Sequence, residues 1–262
     1  MQGARENLTA LIVVLLAAFV LTSAGASTAL PDEPAVPVLV YHRFHPAVSG
    51  PTTVTVATFE SQLKTIREAG GNIVPLRTLV EHLMNGKPPL PRHPVVITAD
   101  DGHVSVYTEL YPIILREKIS VTLFLYPSVV SREDYALTWE QIRRMMSSGL
   151  VEVQSHSYWH PNFKVEKRRL DAQQYAAFVD DQLRRSRLVL QSELGARVDM
   201  LAWPFGIVDD ELIEAARRAG YIAAFTIERR VVTRQERMMA LPRFMIVESD
   251  RGRALERLLQ AR

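Results

Sequence analysis

Val95-Val96-Ile97-Thr98-Ala99-Asp100-Asp101-Gly102 is an apolar, β-branched run that stops at two adjacent carboxylates and a glycine. A short apolar segment without in–out alternation reads as a strand buried on both faces, the kind found in a parallel sheet covered by helices. Outward from this strand the same alternation recurs. Apolar runs at 36–41, 72–74, 121–125, 151–154, 200–202, 222–225 and 241–247 read as further strands. Helical stretches at 58–69, 78–85, 104–118, from 138, at 168–194, at 209–219 and after the last strand separate them. Gly70-Gly71 closes the first helix, Gly86 ends the second, Pro112 interrupts the third, and Thr138 with Gln141 fits a capping box. Strand-then-helix repetition on this scale predicts an α/β fold: a closed or nearly closed (β/α) barrel rather than a small open sheet. No internal repeat is apparent, and a single domain is expected.

In such folds the chemistry sits at the C-terminal ends of the strands. Four polar clusters fall there: Tyr41-His42-Arg43, Asp100-Asp101-Gly102, Ser155-His156-Ser157-Tyr158-Trp159-His160-Pro161, and Trp203-Pro204-Phe205-Gly206. Two carboxylates buried together repel each other unless a cation lies between them, so a metal accounts for the pair. Successive residues leave a strand on opposite sides, so one Asp can bind the metal while the other faces a substrate. His156 and His160 supply two imidazoles four residues apart, and Pro161 disfavours helical geometry at His160. One carboxylate and two imidazoles leave open positions for water and substrate, the mark of a catalytic metal. Each motif alone has an ordinary explanation, a helix cap for the Asp pair and a satisfied core or surface residue for each His. Their joint occurrence favours the metal.

Thr98-Ala99-Asp100-Asp101-Gly102, His156-Ser157-x-x-His160-Pro161 and Trp203-Pro204-Phe205-Gly206 resemble the motifs of the polysaccharide deacetylases of carbohydrate esterase family 4. The resemblance runs from about residue 36 to 247. It implies a distorted (β/α) barrel of about seven strands and removal of acetyl groups from an N-acetylated polysaccharide. It also implies a divalent metal on Asp101, His156 and His160, with Asp100 as the general base. Zinc suits these ligands, and cobalt, nickel or iron fit them too. The chain departs from the family at Ala99, where Phe is usual, and at Ala202, where an Arg usually orients the base. Arg243 could take over that contact, with an ordinary surface salt bridge as the equal alternative. The family's acid is usually a late His, yet no histidine follows His160. His42 ends the first strand, and residues 37–42 resemble the opening of a circularly permuted branch of periplasmic deacetylases acting on poly-β-1,6-N-acetylglucosamine. That resemblance assigns the acid to His42 and a poly-N-acetylglucosamine-type exopolysaccharide as the substrate. A peptidoglycan or chitooligosaccharide deacetylase, or a non-catalytic carbohydrate-binding barrel, are the rival readings. Trp203, Pro204, Phe205 and Gly206 are expected to bind substrate, with Trp159 offering a further flat face for a sugar ring. His45, His82, His93 and His103 are expected to be structural.

Composition narrows the setting. Of 262 residues, 31 are Lys or Arg and 29 are Asp or Glu, and the scattered basic residues form no nucleic-acid stripe. Cysteine is absent, so neither a disulfide nor a Cys-linked lipid is available. Arg5, the apolar run 8–21 and Ala24-Gly25-Ala26 have the layout of a secretory signal peptide over 1–26. Residues 27–35 read as a flexible lead-in and 36–262 as the deacetylase domain. The expected location is periplasmic or secreted, with no membrane span after cleavage; an uncleaved anchor is the alternative. Protein partners are not legible.

Overall fold

The computed structural model describes residues 35–261. The signal-peptide and lead-in assignments over 1–34 lie outside the described residues. In chain order the elements are β1 (Val38–Tyr41), β2 (Arg43–His45), β3 (Thr53–Thr55), α1 (Val56–Glu68), β4 (Asn72–Ile73), α2 (Leu76–Asn85) and β5 (Pro94–Asp100). A π-helical turn (Val106–Leu110) leads into α3 (Tyr111–Glu117), followed by β6 (Val121–Leu125), α4 (Trp139–Met146) and β7 (Val151–Ser155). Then come α5 (Phe163–Arg169), α6 (Ala172–Leu194), β8 (Met200–Ala202), α7 (Asp210–Arg218), β9 (Ala223–Phe225), β10 (Phe244–Met245) and α8 (Arg253–Leu259).

Seven strands pair in parallel in the order β10-β1-β5-β6-β7-β8-β9, with β4 added to β5. The sheet curls into the expected distorted barrel. Side-chain alternation divides its two faces. Val96 of β5 joins a cluster with Val38, Phe124, Met200, Ala202 and Phe225. Residues from β1 and β9, which are not neighbours, meet in that cluster, so it fills the concave side. Leu76, Leu79 and Val80 of α2 plug it. Ile97 and Ala99 point the other way and pack with Leu39, Leu63, Ile66 and Leu123 under the helices. Asp100 is in phase with Val96 and Thr98, so the same alternation turns its carboxylate inward. Ala99 faces away from the site, and the bulk missing there is missing from the helix side.

Three local differences from the sequence reading have plain causes. The expected helix 168–194 breaks at Leu170, because Asp171 and Gln174 form a capping box that starts α6 afresh. The expected helix 104–118 opens with a π turn, since Pro112 has no N–H to donate back to Thr108. The last strand shrinks to Phe244–Met245 because the chain crosses between two partners. Leu241 bridges to Phe225 of β9, while Phe244 and Met245 pair with Leu39 and Val40 of β1. That crossing draws the two ends of the sheet path together. The short strands β2 and β3, which pair with one another, are too brief to show a pattern in sequence.

Candidate active site

The four clusters expected at strand ends come from β1, β5, β7 and β8, and those after β5 and β7 supply one group of metal-type donors. Asp101 Oδ1 lies 3.6 Å from His156 Nε2 and 3.7 Å from His160 Nε2. All three donor atoms fall within 4.8 Å of one another. Ligands at zinc's usual 2.0–2.1 Å in a tetrahedral array stand about 3.4 Å apart, so this spacing fits one ion with little adjustment. His156 Nδ1 donates to the Ala202 carbonyl at 2.7 Å, which leaves the Nε2 lone pair free to coordinate. Burial, and then the neighbouring His156, push the His160 imidazole down to about 4 against the pull of Asp101. It is therefore neutral near pH 7 and available as a ligand. The donor set is chemically that of a divalent transition metal.

The backbone reaches these positions at a cost. Asp101, Ser157, His160 and Phe205 all adopt left-handed φ, between 57° and 72°. Gathering of sparsely populated conformations at one place is characteristic of functional sites. Side-chain bonds hold them there. Ser155 Oγ bonds Ser186 Oγ on α6 at 2.7 Å and accepts from Ser157 N, and Ser157 Oγ accepts from His160 N. Gln182 of α6 accepts from Trp159 N at 3.1 Å. At Gly102, with φ +76°, a Cβ would come within 2.7 Å of Leu125 Cδ2, so only glycine lets the turn after Asp101 close.

Asp100 and Arg243 are brought together. Arg243 is fully buried, and its Nη1 and Nη2 donate to Asp100 Oδ1 and Oδ2 at 2.8 and 2.7 Å. The guanidinium also donates to Thr98 Oγ1 and the Thr226 carbonyl, with the Phe124 ring 5.2 Å away. Burial alone would push the Asp100 carboxyl up, but Arg243 and then His156 outweigh it and hold it at about 2. Asp100 Oδ2 is 3.8 Å from His156 Nε2, beside the metal position.

His42, at the end of β1, lies in the same group and senses Asp100, Asp101 and His156. Its Nδ1 is buried and has no hydrogen-bond partner among the described residues. Burial lowers its pKa, and the two carboxylates partly restore it. The Trp203–Gly206 motif divides. Trp203 is interior, with its indole N–H on the Met239 carbonyl, and Pro204 is buried. Neither side chain presents a face to solvent. Gly206, at φ +66°, has Ile227 Cγ1 where a Cβ would be, 2.6 Å away, so its role is to let the chain turn. Phe205 is exposed and stands edge-on to His160, with centroids 4.6 Å apart. Trp159, also exposed, leans on Phe178.

Sequence reasoning missed Tyr126, whose ring lies 5.5 Å from that of His160 on β6's C-terminal end. A tyrosine following a strand carries no motif of its own; its position after β6 was the one signal available. His45 and His82 are engaged in local turns, as expected of structural residues.

Residues 87–224 match the sequence profile of the family "Polysaccharide deacetylase". A poly-beta-1,6-N-acetyl-D-glucosamine N-deacetylase of Staphylococcus aureus is 26% identical over 199 residues, covering 74% of this chain and 68% of the relative. Among solved structures, IcaB from Ammonifex degensii superposes with a TM-score of 0.75 at 26% identity, over 87% of this chain and 97% of that one. The Streptococcus pyogenes deacetylase PplD, solved with acetate, shares the fold at TM-score 0.76 and 21% identity, covering 87% and 99%. With more than half of its length matched and the motif residues converging at the C-terminal ends of a curled parallel sheet, this chain belongs to the polysaccharide deacetylase family of hydrolases.

Proposed function

We propose that the protein is an exported, metal-dependent enzyme that removes N-acetyl groups from a poly-N-acetylglucosamine-type polysaccharide. The convergence of Asp101, His156 and His160 beside an ionised, inward-facing Asp100 carries this reading. The similarity to poly-β-1,6-N-acetylglucosamine N-deacetylases supports the substrate class. The layout of residues 1–26 supports export, and among the described residues no helix is long and apolar enough to cross a membrane. The catalytic domain takes in residues 36–262, because β1 and β10, outside the matched segment, flank His42 and Arg243.

A divalent cation, zinc by donor type, would polarise the acetamide carbonyl and make a water acidic enough to lose its proton near neutral pH. Asp100 accepts that proton as the water attacks the carbonyl carbon. Arg243 occupies one lone pair of each Asp100 oxygen and fixes the carboxylate plane, leaving a second lone pair on Oδ2, 3.8 Å from His156 Nε2, to take the proton. Because Asp100 titrates near 2, it is ionised throughout the working range. The C–N bond breaks only when nitrogen is protonated, since an amide anion is a very poor leaving group. His42 passes on to the nitrogen the proton that Asp100 took from the water, giving acetate and a sugar amine. Phe205 and Trp159 are the exposed rings on which sugar faces pack.

Purified protein is expected to release acetate from β-1,6-linked N-acetylglucosamine oligomers, with the activity lost to a chelator and restored by added zinc or cobalt. Equal release from β-1,4 oligomers would move the substrate assignment to chitin- or peptidoglycan-like chains. Activity indifferent to the chelator would remove the metal from the scheme. His42→Ala is expected to reduce amide hydrolysis about 100-fold or more while sparing an activated acetate ester, whose leaving group needs no proton. Equal losses on the two substrates would refute the acid role.

A further inference from the structure

The two imidazole ligands are held in different ways. His156 has the anchor usual for a metal-binding histidine: its second nitrogen donates to a fixed carbonyl, that of Ala202, and its side chain is 3% exposed. The His160 side chain is 21% exposed, and among the described residues no hydrogen bond ties its ring to another residue. The backbone group that the ring meets is its own carbonyl. A carbonyl that moves with the residue cannot fix the ring against the rest of the fold. The main chain is better secured. Ser157 Oγ accepts from His160 N and Gln182 accepts from Trp159 N, but these bonds leave both side-chain torsions of His160 unconstrained.

Ring contacts are what remain. The His160 centroid lies 4.5 Å from that of His156, 4.6 Å from that of Phe205 and 5.5 Å from that of Tyr126. His156 is itself a ligand. Phe205 is 55% exposed on a left-handed turn, so solvent rather than protein backs much of its ring. Tyr126 is the ring that the fold fixes. It follows the last residue of β6, the strand between those that lead to Asp101 and His156. Backbone bonds to the metal-binding loop lie on either side of it in sequence. Leu125 O accepts from His156 N at 2.8 Å, and Ser128 N donates to Tyr158 O at 3.1 Å. Phe124 packs on the concave side of the sheet and Leu125 on the helix side, so Tyr126 falls in phase with Phe124 and turns toward the site.

We propose that Tyr126 is a positioning residue, whose ring takes over the task of a hydrogen-bonded partner and holds the His160 imidazole in its metal-binding orientation. Resting on the metal-dependent function proposed above, this makes the end of β6 part of the metal centre although it supplies no donor. The role is one of packing, so it needs the ring of Tyr126 and not the hydroxyl.

Zinc affinity of the purified, metal-stripped protein is measured by competition with a chromophoric chelator, for wild type, Tyr126→Phe and Tyr126→Leu, and again with His160→Ala added to each. Tyr126→Leu is expected to bind zinc about 10- to 100-fold more weakly, the usual cost of losing a group that orients a ligand, while Tyr126→Phe stays within about threefold of wild type. With His160→Ala in place the ring has nothing left to hold, so Tyr126→Leu should change the affinity by less than about threefold. Acetate release by Tyr126→Leu should regain a near wild-type kcat at saturating zinc, because its three donors are intact. Tyr126→Met is the second variant should Tyr126→Leu not fold. Full zinc affinity in Tyr126→Leu, an equal loss in Tyr126→Phe, an undiminished loss beside His160→Ala, or a kcat that stays low at saturating zinc each overturns the proposal while leaving the deacetylase reading intact. A zinc affinity that His160→Ala leaves unchanged in the otherwise wild-type protein overturns the proposal together with the metal site on which it rests.

Discussion

Asp100→Asn is expected to cut acetate release by about 100- to 10,000-fold, the usual contribution of a positioned general base. It should also destabilise the fold, and that second effect is a consequence of geometry. Arg243 is fully buried and spends two of its donors on the Asp100 carboxylate. Removing the partner's charge leaves a guanidinium inside the protein without compensation, which typically costs about 3–5 kcal/mol. Denaturant unfolding measures the stability loss, and an acetate assay measures the rate. Metal content should be unchanged, since Asp100 is not among the three convergent donors. The two effects can be separated by replacing both partners. Asp100→Asn combined with Arg243→Met removes the buried charge as well and should recover most of the stability but none of the activity. If Asp100→Asn alone keeps near wild-type turnover, Asp100 is not the base. If the double variant is no more stable than the single one, the pairing energy lies elsewhere.

His156→Ala is expected to have the next largest effect, through the metal. The imidazole contributes one of three donors at Nε2 and is held in place by its Nδ1–H bond to Ala202. Loss of partners that merely orient a ligand already costs about 10- to 100-fold in metal affinity, so loss of the ligand itself should exceed 100-fold. The variant should retain little metal after dialysis and release no measurable acetate. It should also lose about 1–3 kcal/mol of stability, because a buried carbonyl is left without its donor. His160→Ala offers an internal comparison. His160 is only half-buried, so it should match the metal loss with a smaller stability change. Stoichiometric metal in dialysed His156→Ala would place the ion somewhere other than this triad.

The contrast between Asp100 and Arg243 shows where sequence reading ends. Asp100 and Asp101 sit at the end of a run whose buried character is visible in its composition, and strand alternation alone sends one inward. The His156–His160 spacing is equally local. For those residues the chemistry is written within a few positions of each other. Arg243 is 143 residues away from Asp100 and reaches it only because the last strand crosses from β9 to pair with β1. Sequence left its partner undecided between the base and a surface acid. Trp203 shows a second limit of local reading. A conspicuous aromatic in a motif invites a substrate role, yet its indole N–H is bonded in the interior and Phe205, beside it, holds the exposed face.

By itself, then, the order of residues determined the strand–helix alternation, the carboxylate pair, the imidazole pair and the strand end that carries His42. These rest on forces that act within a few residues, namely burial periodicity, turn chemistry and metal-donor spacing. Tertiary structure alone decided that Arg243 clamps Asp100, that Tyr126 stands against His160, and that Trp203 is interior. Those depend on how a curled sheet brings distant segments into contact. Which partner shields a buried charge is an electrostatic matter settled by proximity in space, and proximity across a sheet is not encoded in any short stretch of chain.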